Sequence, residues 1–177
     1  MANKKRQGLV QVNTGNGKGK TTAALGTILR AVGYGLKVYV IFFMKGHYDY
    51  GEYRSLAQLP NVTVAGYGLR KLTRPEAEEE EERREAEAAL AKAREVITSG
   101  EYDIVLLDEI NVAVDYGLIK LDDVIDLIKS RPSHVEVILT GRYADNRLLE
   151  LADQITEMVK VKHPYDSGIH ARQGIDC

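Results

Sequence analysis

The stretch Leu9-Val10-Gln11-Val12-Asn13 runs directly into Thr14-Gly15-Asn16-Gly17-Lys18-Gly19-Lys20-Thr21-Thr22, and an apolar pattern of helical spacing follows over residues 21–32. A short apolar strand, a glycine-rich turn and a helix in this order are the context that a phosphate-binding loop, or P-loop, requires. Glycines allow backbone N–H groups to converge on phosphate oxygens, and the first turn of the helix adds the positive end of its dipole. The stretch therefore predicts a nucleoside triphosphate site.

Within this loop, Lys20 and Thr21 have the most specific expected roles. Lys20 would bring a full positive charge to the phosphates, and Thr21 would offer its hydroxyl to Mg²⁺. The residues predicted to bind the nucleotide here are Thr14, Gly15, Asn16, Gly17, Lys18, Gly19, Lys20, Thr21 and Thr22. Thr14 departs from the consensus Gly-x-x-x-x-Gly-Lys-Ser/Thr, which has a glycine at that position.

Two alternatives exist for the glycines. A dinucleotide-binding turn is disfavoured by spacing, because Gly15-x-Gly17-x-Gly19 is not Gly-x-Gly-x-x-Gly. The second alternative is a glycine-rich turn with no ligand, and the surrounding strand and helix disfavour it.

A second motif supplies the acidic group that a P-loop site needs near its metal ion. The apolar run Ile104-Val105-Leu106-Leu107 ends in Asp108 and Glu109. We expect Asp108 or Glu109 to hold Mg²⁺, directly or through water, and the other carboxylate to position a water or a substrate group. A surface acid pair at a strand end is the alternative. The two motifs together predict ATP or GTP binding and leave the reaction open.

The rest of the chain alternates strands and helices. Apolar runs rich in Val and Ile predict strands at residues 9–13, 36–44, 62–65, 103–107, 135–140 and 155–161. Apolar residues at helical spacing predict helices at 21–32, 52–59, 75–98, 121–130 and 146–152. Near-continuous hydrophobicity over residues 38–43 indicates that helices cover both faces of the sheet. We predict a three-layer α/β domain, P-loop NTPase-like and RecA-like, with a mostly parallel sheet of about six strands.

Composition limits the classes of function. The chain has 177 residues, with 24 Lys plus Arg against 26 Asp plus Glu, and its length predicts one domain over residues 1–177. A formal net charge of −2 gives no general attraction to nucleic acid or to an anionic membrane. The longest apolar stretch, at 38–44, is too short to span a bilayer, and the single cysteine, Cys177, excludes an intrachain disulfide. We therefore expect a cytoplasmic protein without nucleic-acid or membrane partners.

Beyond these motifs, the sequence resembles one P-loop family in particular. The P-loop followed by Arg30-Ala31-Val32-Gly33-Tyr34-Gly35 is similar to the ATP:corrinoid adenosyltransferases of the P-loop type. Further segments resemble the same family and follow in the same order along the chain: Phe43-Met44-Lys45-Gly46, Leu107-Asp108-Glu109-Ile110-Asn111, Leu139-Thr140-Gly141-Arg142, Lys162-His163-Pro164 and Gly174-Ile175-Asp176. The resemblance covers essentially the whole chain.

This resemblance implies an ATP:cob(I)alamin adenosyltransferase of cobalamin biosynthesis. Such an enzyme moves the 5′-deoxyadenosyl group of ATP onto the cobalt(I) of a reduced corrinoid and releases triphosphate. The resemblance also implies a nucleotide that lies reversed in the P-loop, Mg²⁺ as cofactor, a homodimer, and a flavoprotein reductant as partner. Because cobalt(I) is the nucleophile, the protein must align C5′ with cobalt and stabilise the leaving triphosphate.

The resemblance assigns roles to particular residues. We expect Lys20, Thr21 and Glu109 to be catalytic, with Thr21, Asp108 and Glu109 as metal ligands. Further residues match family positions and are expected around the ribose, the phosphates or the corrinoid: Arg30, Lys45, Glu52, Asn111 and Arg142.

One segment departs from the family pattern. Where the family often has Gly-x-Gly-Phe-Thr-Trp, this chain has Gly66-Tyr67-Gly68-Leu69-Arg70-Lys71, and it contains no tryptophan. In the family these aromatics are associated with removing the lower axial ligand from cobalt(II). We therefore expect weak cobalt(II) activation, unless another aromatic takes over the role: Tyr48, Tyr50, Tyr53 or Tyr67. The alternative functions are an ATP-binding corrinoid carrier or regulatory paralogue and, after it, a generic nucleotide hydrolase.

Overall fold

The computed structural model describes residues 7–46, 50–69 and 76–176, and strands and helices alternate along most of this length. The strands are β1 (Val10–Thr14), β2 (Val38–Phe42), β3 (Val62–Gly66), β4 (Ile104–Asp108), β5 (Glu136–Thr140) and β6 (Gln154–Glu157). The helices are α1 (Lys20–Gly33), α2 (Gly51–Leu56), α3 (Glu76–Ser99), α4 (Ile110–Asp115), α5 (Leu121–Lys129) and α6 (Asn146–Leu151), and a 3₁₀ turn follows at Pro164–Ser167.

The strands form one parallel sheet in the order β3-β2-β4-β5-β1-β6. β5 lies between β1 and β4, and Leu139 of β5 pairs with Val12 on one side and Leu107 on the other. Because the strands are parallel, the loops that follow them meet at one edge of the sheet, where α/β proteins bind their ligands. The predicted α/β fold with a parallel six-stranded sheet is confirmed.

Helices cover both faces of the sheet, which explains the near-continuous hydrophobicity of its central strands. One core cluster joins α3 and α5 to the face that presents Ile41, Val105 and Leu107. The second joins α1 to the opposite face, which presents Val40, Phe42 and Leu106. Successive strand residues point to opposite faces, so a strand that is covered on both sides needs apolar residues at every position. Every residue of β4 and of β5 is buried.

Several boundaries differ from the predicted ones. The sixth strand ends at Glu157, not at 161, because the chain then turns toward the P-loop, where Gly17 N donates to Met158 O at 2.6 Å. β2 ends at Phe42, and Met44, which we expected in the strand, has a φ of 60°. Helix α4 occupies residues for which the sequence predicts no helix. Pro75, the predicted first residue of the long helix, lies outside the described residues.

None of the helices in the described ranges combines the length and the apolar character needed to cross a bilayer.

Candidate active site

The P-loop connects β1 to α1, as the sequence predicts. Gly15 and Gly19 have φ values of +95° and +111°, which residues other than glycine rarely adopt. A Cβ atom at Gly15 or at Gly17 would lie 2.6 or 2.7 Å from Met158 O. Gly15 and Gly17 are therefore required by the close approach of the segment after β6, and Gly15 and Gly19 by their backbone conformation.

Lys20 begins α1, and its side chain folds back over the loop. Nζ donates to Gly15 O at 2.9 Å and to Gly17 O at 2.7 Å, and the residue is only 8% exposed. Burial lowers the pKa of Lys20 and Arg142 lowers it further, while Glu109 and Asp108 oppose both effects. The ammonium group thus lies at the centre of the loop, on neutral carbonyl acceptors that phosphate oxygens can replace.

A cavity of about 980 Å³ lies in front of the loop. Predicted site residues that line it are Gly17, Lys18, Gly19, Lys20, Thr21, Thr22, Lys45, Glu52, Glu109 and Arg142. A cavity of this size lies at the upper end of the range for small-molecule sites. The structure therefore brings together, around one cavity, residues that come from the P-loop, the end of β2, α2 and the ends of β4 and β5.

The two predicted metal-binding carboxylates occupy different positions. Asp108 is fully buried, and its two oxygens accept hydrogen bonds from Thr140 Oγ1 at 2.7 Å and Lys45 Nζ at 2.8 Å. Glu109 lines the cavity. Burial and the neighbouring Asp108 raise the pKa of Glu109, and Lys45, Lys20 and Arg142 lower it. Glu109 is thus the carboxylate that faces the cavity, and Asp108 lies behind it.

Lys45 joins the acids to the opposite wall of the cavity. Its Nζ lies 3.9 Å from Glu52 Oε1, in addition to its bond to Asp108. Nζ also lies 5.4 and 5.5 Å from the ring centroids of Phe42 and Tyr50. Burial alone would lower the pKa of Lys45, but Asp108, with smaller contributions from other acids, outweighs burial and raises it. Lys45 is therefore held in its charged form.

A smaller pocket of about 220 Å³ adjoins the cavity. The two share five residues of their walls: Lys45, Tyr50, Glu109, Val112 and Tyr116. The smaller pocket adds Met44, Gly68, Leu69, Glu82 and Ala86. Leu69 therefore lies beside the P-loop cavity.

The predicted replacement aromatics occupy different places. Tyr50 lines both spaces, whereas Tyr53 stacks on Phe42 at 4.5 Å and donates to Lys45 O at 3.1 Å. Tyr67 is partly buried against the core. Tyr48 and Lys71 lie outside the described residues. Tyr116, which the sequence did not single out, lines both spaces as well.

Some predicted binding residues do not line the cavity. Arg30 is exposed in the last turn of α1, about 15 Å along the helix axis from Lys20. Asn111 is fully buried and donates to Gly141 O at 3.2 Å, while its Oδ1 has no hydrogen-bond partner among the described residues. Thr14 turns its hydroxyl toward the loop after β5, where it accepts from Ala144 N at 3.4 Å. Asn16 is exposed.

Sequence reasoning missed two contributors to the site. Thr140, at the end of β5, bonds to Asp108 and accepts a hydrogen bond from Glu109 N at 3.0 Å. Asp176 forms an ion pair with Lys18 and a 2.9 Å bond with Arg172 Nε, and together with Gly174 and Ile175 it lines the cavity. The signal available for both was that they lie in segments resembling the family.

Comparison with known proteins agrees with this geometry. The family described as ATP:corrinoid adenosyltransferase BtuR/CobO/CobP matches residues 6–177. The corrinoid adenosyltransferase of Escherichia coli is 40% identical in an alignment of 177 positions, which covers 96% of this chain and 86% of the relative. Corrinoid adenosyltransferase CobA of Salmonella typhimurium is likewise 40% identical, with the same coverage. That of Pseudomonas aeruginosa is 36% identical over 173 residues, covering 96% of this chain and 84% of the relative. The chain therefore belongs to the ATP:corrinoid adenosyltransferase family.

Proposed function

We propose that this protein transfers the 5′-deoxyadenosyl group of ATP to the cobalt(I) of a corrinoid and releases triphosphate. The observation that carries the proposal is that the P-loop cavity and the smaller pocket share a wall. A P-loop cavity adjoins a more apolar pocket, and Lys45, Glu109 and Tyr116 stand in the wall that they share. A reaction between a nucleotide and a corrin ring requires a polyanion site and an apolar surface next to each other.

The proposed reaction needs alignment and charge stabilisation from the protein. The bond that forms joins cobalt to C5′, with both electrons from cobalt(I), and the bond that breaks joins C5′ to a triphosphate oxygen. Negative charge therefore grows on the triphosphate. Lys20 and the backbone N–H groups of the P-loop would stabilise this charge, the kind of effect that usually contributes most to catalysis.

Lys20 can bind the leaving triphosphate by exchanging its carbonyl acceptors for phosphate oxygens. Its ammonium group now donates to the carbonyls of Gly15 and Gly17. Hydrogen bonds from an ammonium group to charged phosphate oxygens are stronger than those to neutral acceptors. Lys18 and Arg142, which also line the cavity, would add further positive charge around the phosphates.

The residues present fit Mg²⁺. Thr21 and Glu109 line the same cavity and offer the oxygen ligands that this ion prefers. Within the described ranges, no group of three or more His, Cys, Asp or Glu side chains could hold a metal ion by itself. This agrees with an ion that takes a few protein ligands and completes its shell with water and substrate phosphates. When bound, Mg²⁺ would neutralise part of the triphosphate charge.

Length and composition support a further proposal, a cytoplasmic protein of one domain. From the family resemblance we also propose that it acts as a homodimer and that a flavoprotein reduces the corrinoid.

An anaerobic assay tests the central proposal. The protein would be incubated with ATP, Mg²⁺ and chemically reduced cob(I)alamin, and the cobalt–carbon bond would be followed by absorbance. We expect adenosylcobalamin and triphosphate in equal amounts. Binding of ATP and corrinoid without transfer would support the carrier or regulatory alternative instead. The Lys129→Ala variant, which changes an exposed lysine on α5, is the matched control for substitutions of Lys20.

A further inference from the structure

A chain of hydrogen bonds runs behind the nucleotide cavity, from Lys45 to the backbone of Glu109. Lys45 Nζ donates to Asp108 Oδ2 at 2.8 Å, and Thr140 Oγ1 donates to Asp108 Oδ1 at 2.7 Å. The same Thr140 oxygen accepts from Glu109 N at 3.0 Å. Asp108 and Thr140 are both fully buried. Thr140 therefore connects two successive acids, one through its carboxylate and the other through its main chain.

The main chain at Glu109 has an unusual conformation. Its φ of 62° and ψ of 16° lie in the left-handed region, which residues other than glycine seldom occupy. This turn leads the chain out of β4 and into α4, and Val112 N and Ala113 N donate to Glu109 O at 3.1 Å each. The Thr140 hydroxyl holds the N–H of Glu109 on the other side of the turn. These contacts fix the position from which the Glu109 side chain reaches the cavity.

We propose that Thr140 is a positioning residue for the metal-bound nucleotide. Its hydroxyl, oriented by Asp108, fixes the turn at Glu109 and so directs the Glu109 carboxylate toward Mg²⁺ bound with ATP. The inference rests on the proposed function, because it concerns the same nucleotide site. Asp108 then acts as the anchor of Thr140 and Lys45 and not as a direct ligand. Partners of this kind, one step removed from the metal, typically change metal affinity by roughly 10- to 100-fold when they are substituted.

A purely structural role for Thr140 predicts a different pattern of substitutions. If Thr140 only fills space at the end of β5, Thr140→Val, which keeps the shape and loses the hydroxyl, should be the mild change. Thr140→Ser, which keeps the hydroxyl and loses the methyl group, should then be the harmful one. Positioning through the hydroxyl predicts the reverse order. Thr98→Val is the matched control, because the Thr98 hydroxyl bonds to Arg94 O on the exposed face of α3.

The experiment measures binding of ATP to the whole protein by calorimetry over a series of Mg²⁺ concentrations. Mn²⁺ replaces Mg²⁺ in a parallel measurement by electron paramagnetic resonance. For Thr140→Val we expect the Mg²⁺ or Mn²⁺ concentration at half-maximal effect to rise by roughly 10- to 100-fold. Binding of ATP without metal should be unchanged, and Thr140→Ser should stay near the unsubstituted protein. In a Glu109→Gln background, which should itself weaken metal binding, Thr140→Val should add little.

Equal metal dependence for Thr140→Val and the unsubstituted protein would overturn the proposal, as would equal effects of the Val and Ser variants. If the Val variant does not fold, Thr140→Cys carries the same comparison, because a thiol is a much weaker hydrogen-bond partner than a hydroxyl. A Cys variant equal to the Ser variant would then overturn it. The adenosyl-transfer assay separates the two proposals. A protein that does not transfer fails the proposed function, whereas an active protein with unaltered metal dependence in the Val variant fails this inference alone.

Discussion

The ammonium group of Lys20 lies 2.7 Å from the carbonyl oxygen of Gly17, inside the loop to which Lys20 itself belongs. The loop therefore holds its own cation in place before any phosphate arrives. In the proposed complex, the triphosphate would compete for Lys20 with this carbonyl and with that of Gly15. The neighbouring Thr21 is part of the same cavity wall.

The first prediction concerns these two residues. Lys20→Ala and Thr21→Ala should each lower adenosyl transfer by at least one order of magnitude, because removal of a positioned charge-stabilising group typically costs about 2.7 to 4 kcal/mol. Initial rates at limiting and saturating ATP measure the effect, with Lys129→Ala as the control. Folded variants with unchanged rates under both conditions would remove the two residues from the mechanism.

A second prediction concerns the leaving group. Because attack is placed at C5′, the phosphorus product should be intact triphosphate and not ADP plus phosphate. Phosphorus NMR of the completed reaction distinguishes the two. ADP formed at the same rate with and without corrinoid would identify a generic nucleotide hydrolase and contradict the transferase.

The third prediction follows from Leu69, which lines the pocket beside the cavity where the family often has an aromatic residue. An axial ligand on cobalt(II) raises the energy of the orbital that must accept the electron, so apolar side chains that displace the ligand favour reduction. We expect normal turnover of preformed cob(I)alamin and poor turnover of cob(II)alamin under a weak reductant. Corrinoids without a strong lower ligand should show a smaller difference.

The double substitution Leu69→Phe with Lys71→Trp tests this explanation. It should raise cob(II)alamin turnover and leave cob(I)alamin turnover near its starting value. If the unsubstituted protein already handles cob(II)alamin well and the double change does not improve it, the missing aromatics have no effect. Loss of that efficiency in Tyr116→Leu would then identify the aromatic that replaces them, since Tyr116 lines the same pocket.

A fourth prediction contrasts two glycines. Gly17→Ala would place a Cβ 2.7 Å from Met158 O, so the segment after β6 must move, and we expect weaker ATP binding and a lower Tm. Gly26 lies within α1, and apart from the backbone of its own helix a Cβ there would meet no atom of the described residues within 4 Å. Gly26→Ala should therefore stabilise the protein by about 0.5–1 kcal/mol, which corresponds to a Tm increase of roughly 1–4 °C. Calorimetric scans and ATP titrations check both, and unchanged ATP affinity in Gly17→Ala would show that the Met158 contact is dispensable.

The fifth prediction concerns alkaline stability. Burial raises the pKa of Tyr53, and Asp108, Glu52 and Tyr50 raise it further. An unfolded tyrosine ionises near pH 10. Below about pH 10 Tyr53 therefore makes its full contribution to the free energy of unfolding, and this contribution is lost as the pH rises toward the higher pKa of the folded state. Tyr53→Phe should reduce this loss, although at neutral pH it costs about 1 kcal/mol for the hydrogen bond to Lys45 O.

Denaturant unfolding of Tyr53→Phe at neutral and alkaline pH measures both effects. Tyr34→Phe removes the same hydroxyl from a side chain that is 85% exposed, and it should leave the alkaline decline unchanged. Parallel loss of stability in Tyr53→Phe and in the unsubstituted protein would contradict the prediction.

The sequence predicts the parallel sheet and the P-loop because each strand, each long helix and the loop has a recognisable pattern in contiguous residues. The bonds around Asp108 are different, since its partners Lys45 and Thr140 lie 63 and 32 positions away. These contacts follow from the strand order, in which β4 lies between β2 and β5. No local pattern contains that order.

Helix α4 shows a second limit of local patterns. Its six residues, Ile110–Asp115, are too few to display a helical period, and two of them are β-branched valines that favour strands. Its N-cap residue, Glu109, forms no side-chain capping hydrogen bond within the described part of the chain. Arg30 illustrates a different limit, because it matches a family position and yet does not line the cavity.

The position of β1 in the sheet has a consequence for folding of the chain during translation. β1 precedes the other strands in the chain, yet its partners are β5 and β6, and Leu9 N bonds to Glu136 Oε2, 127 positions later. Proteins with such distant pairings fold slowly, since a long loop must close before the contacts form. On the ribosome, β1 would therefore lack its first neighbour until Glu136–Thr140 has been synthesised, and its second until Gln154–Glu157 has followed. A nascent chain would acquire its capacity to be stabilised by nucleotide only near the end of translation through this domain.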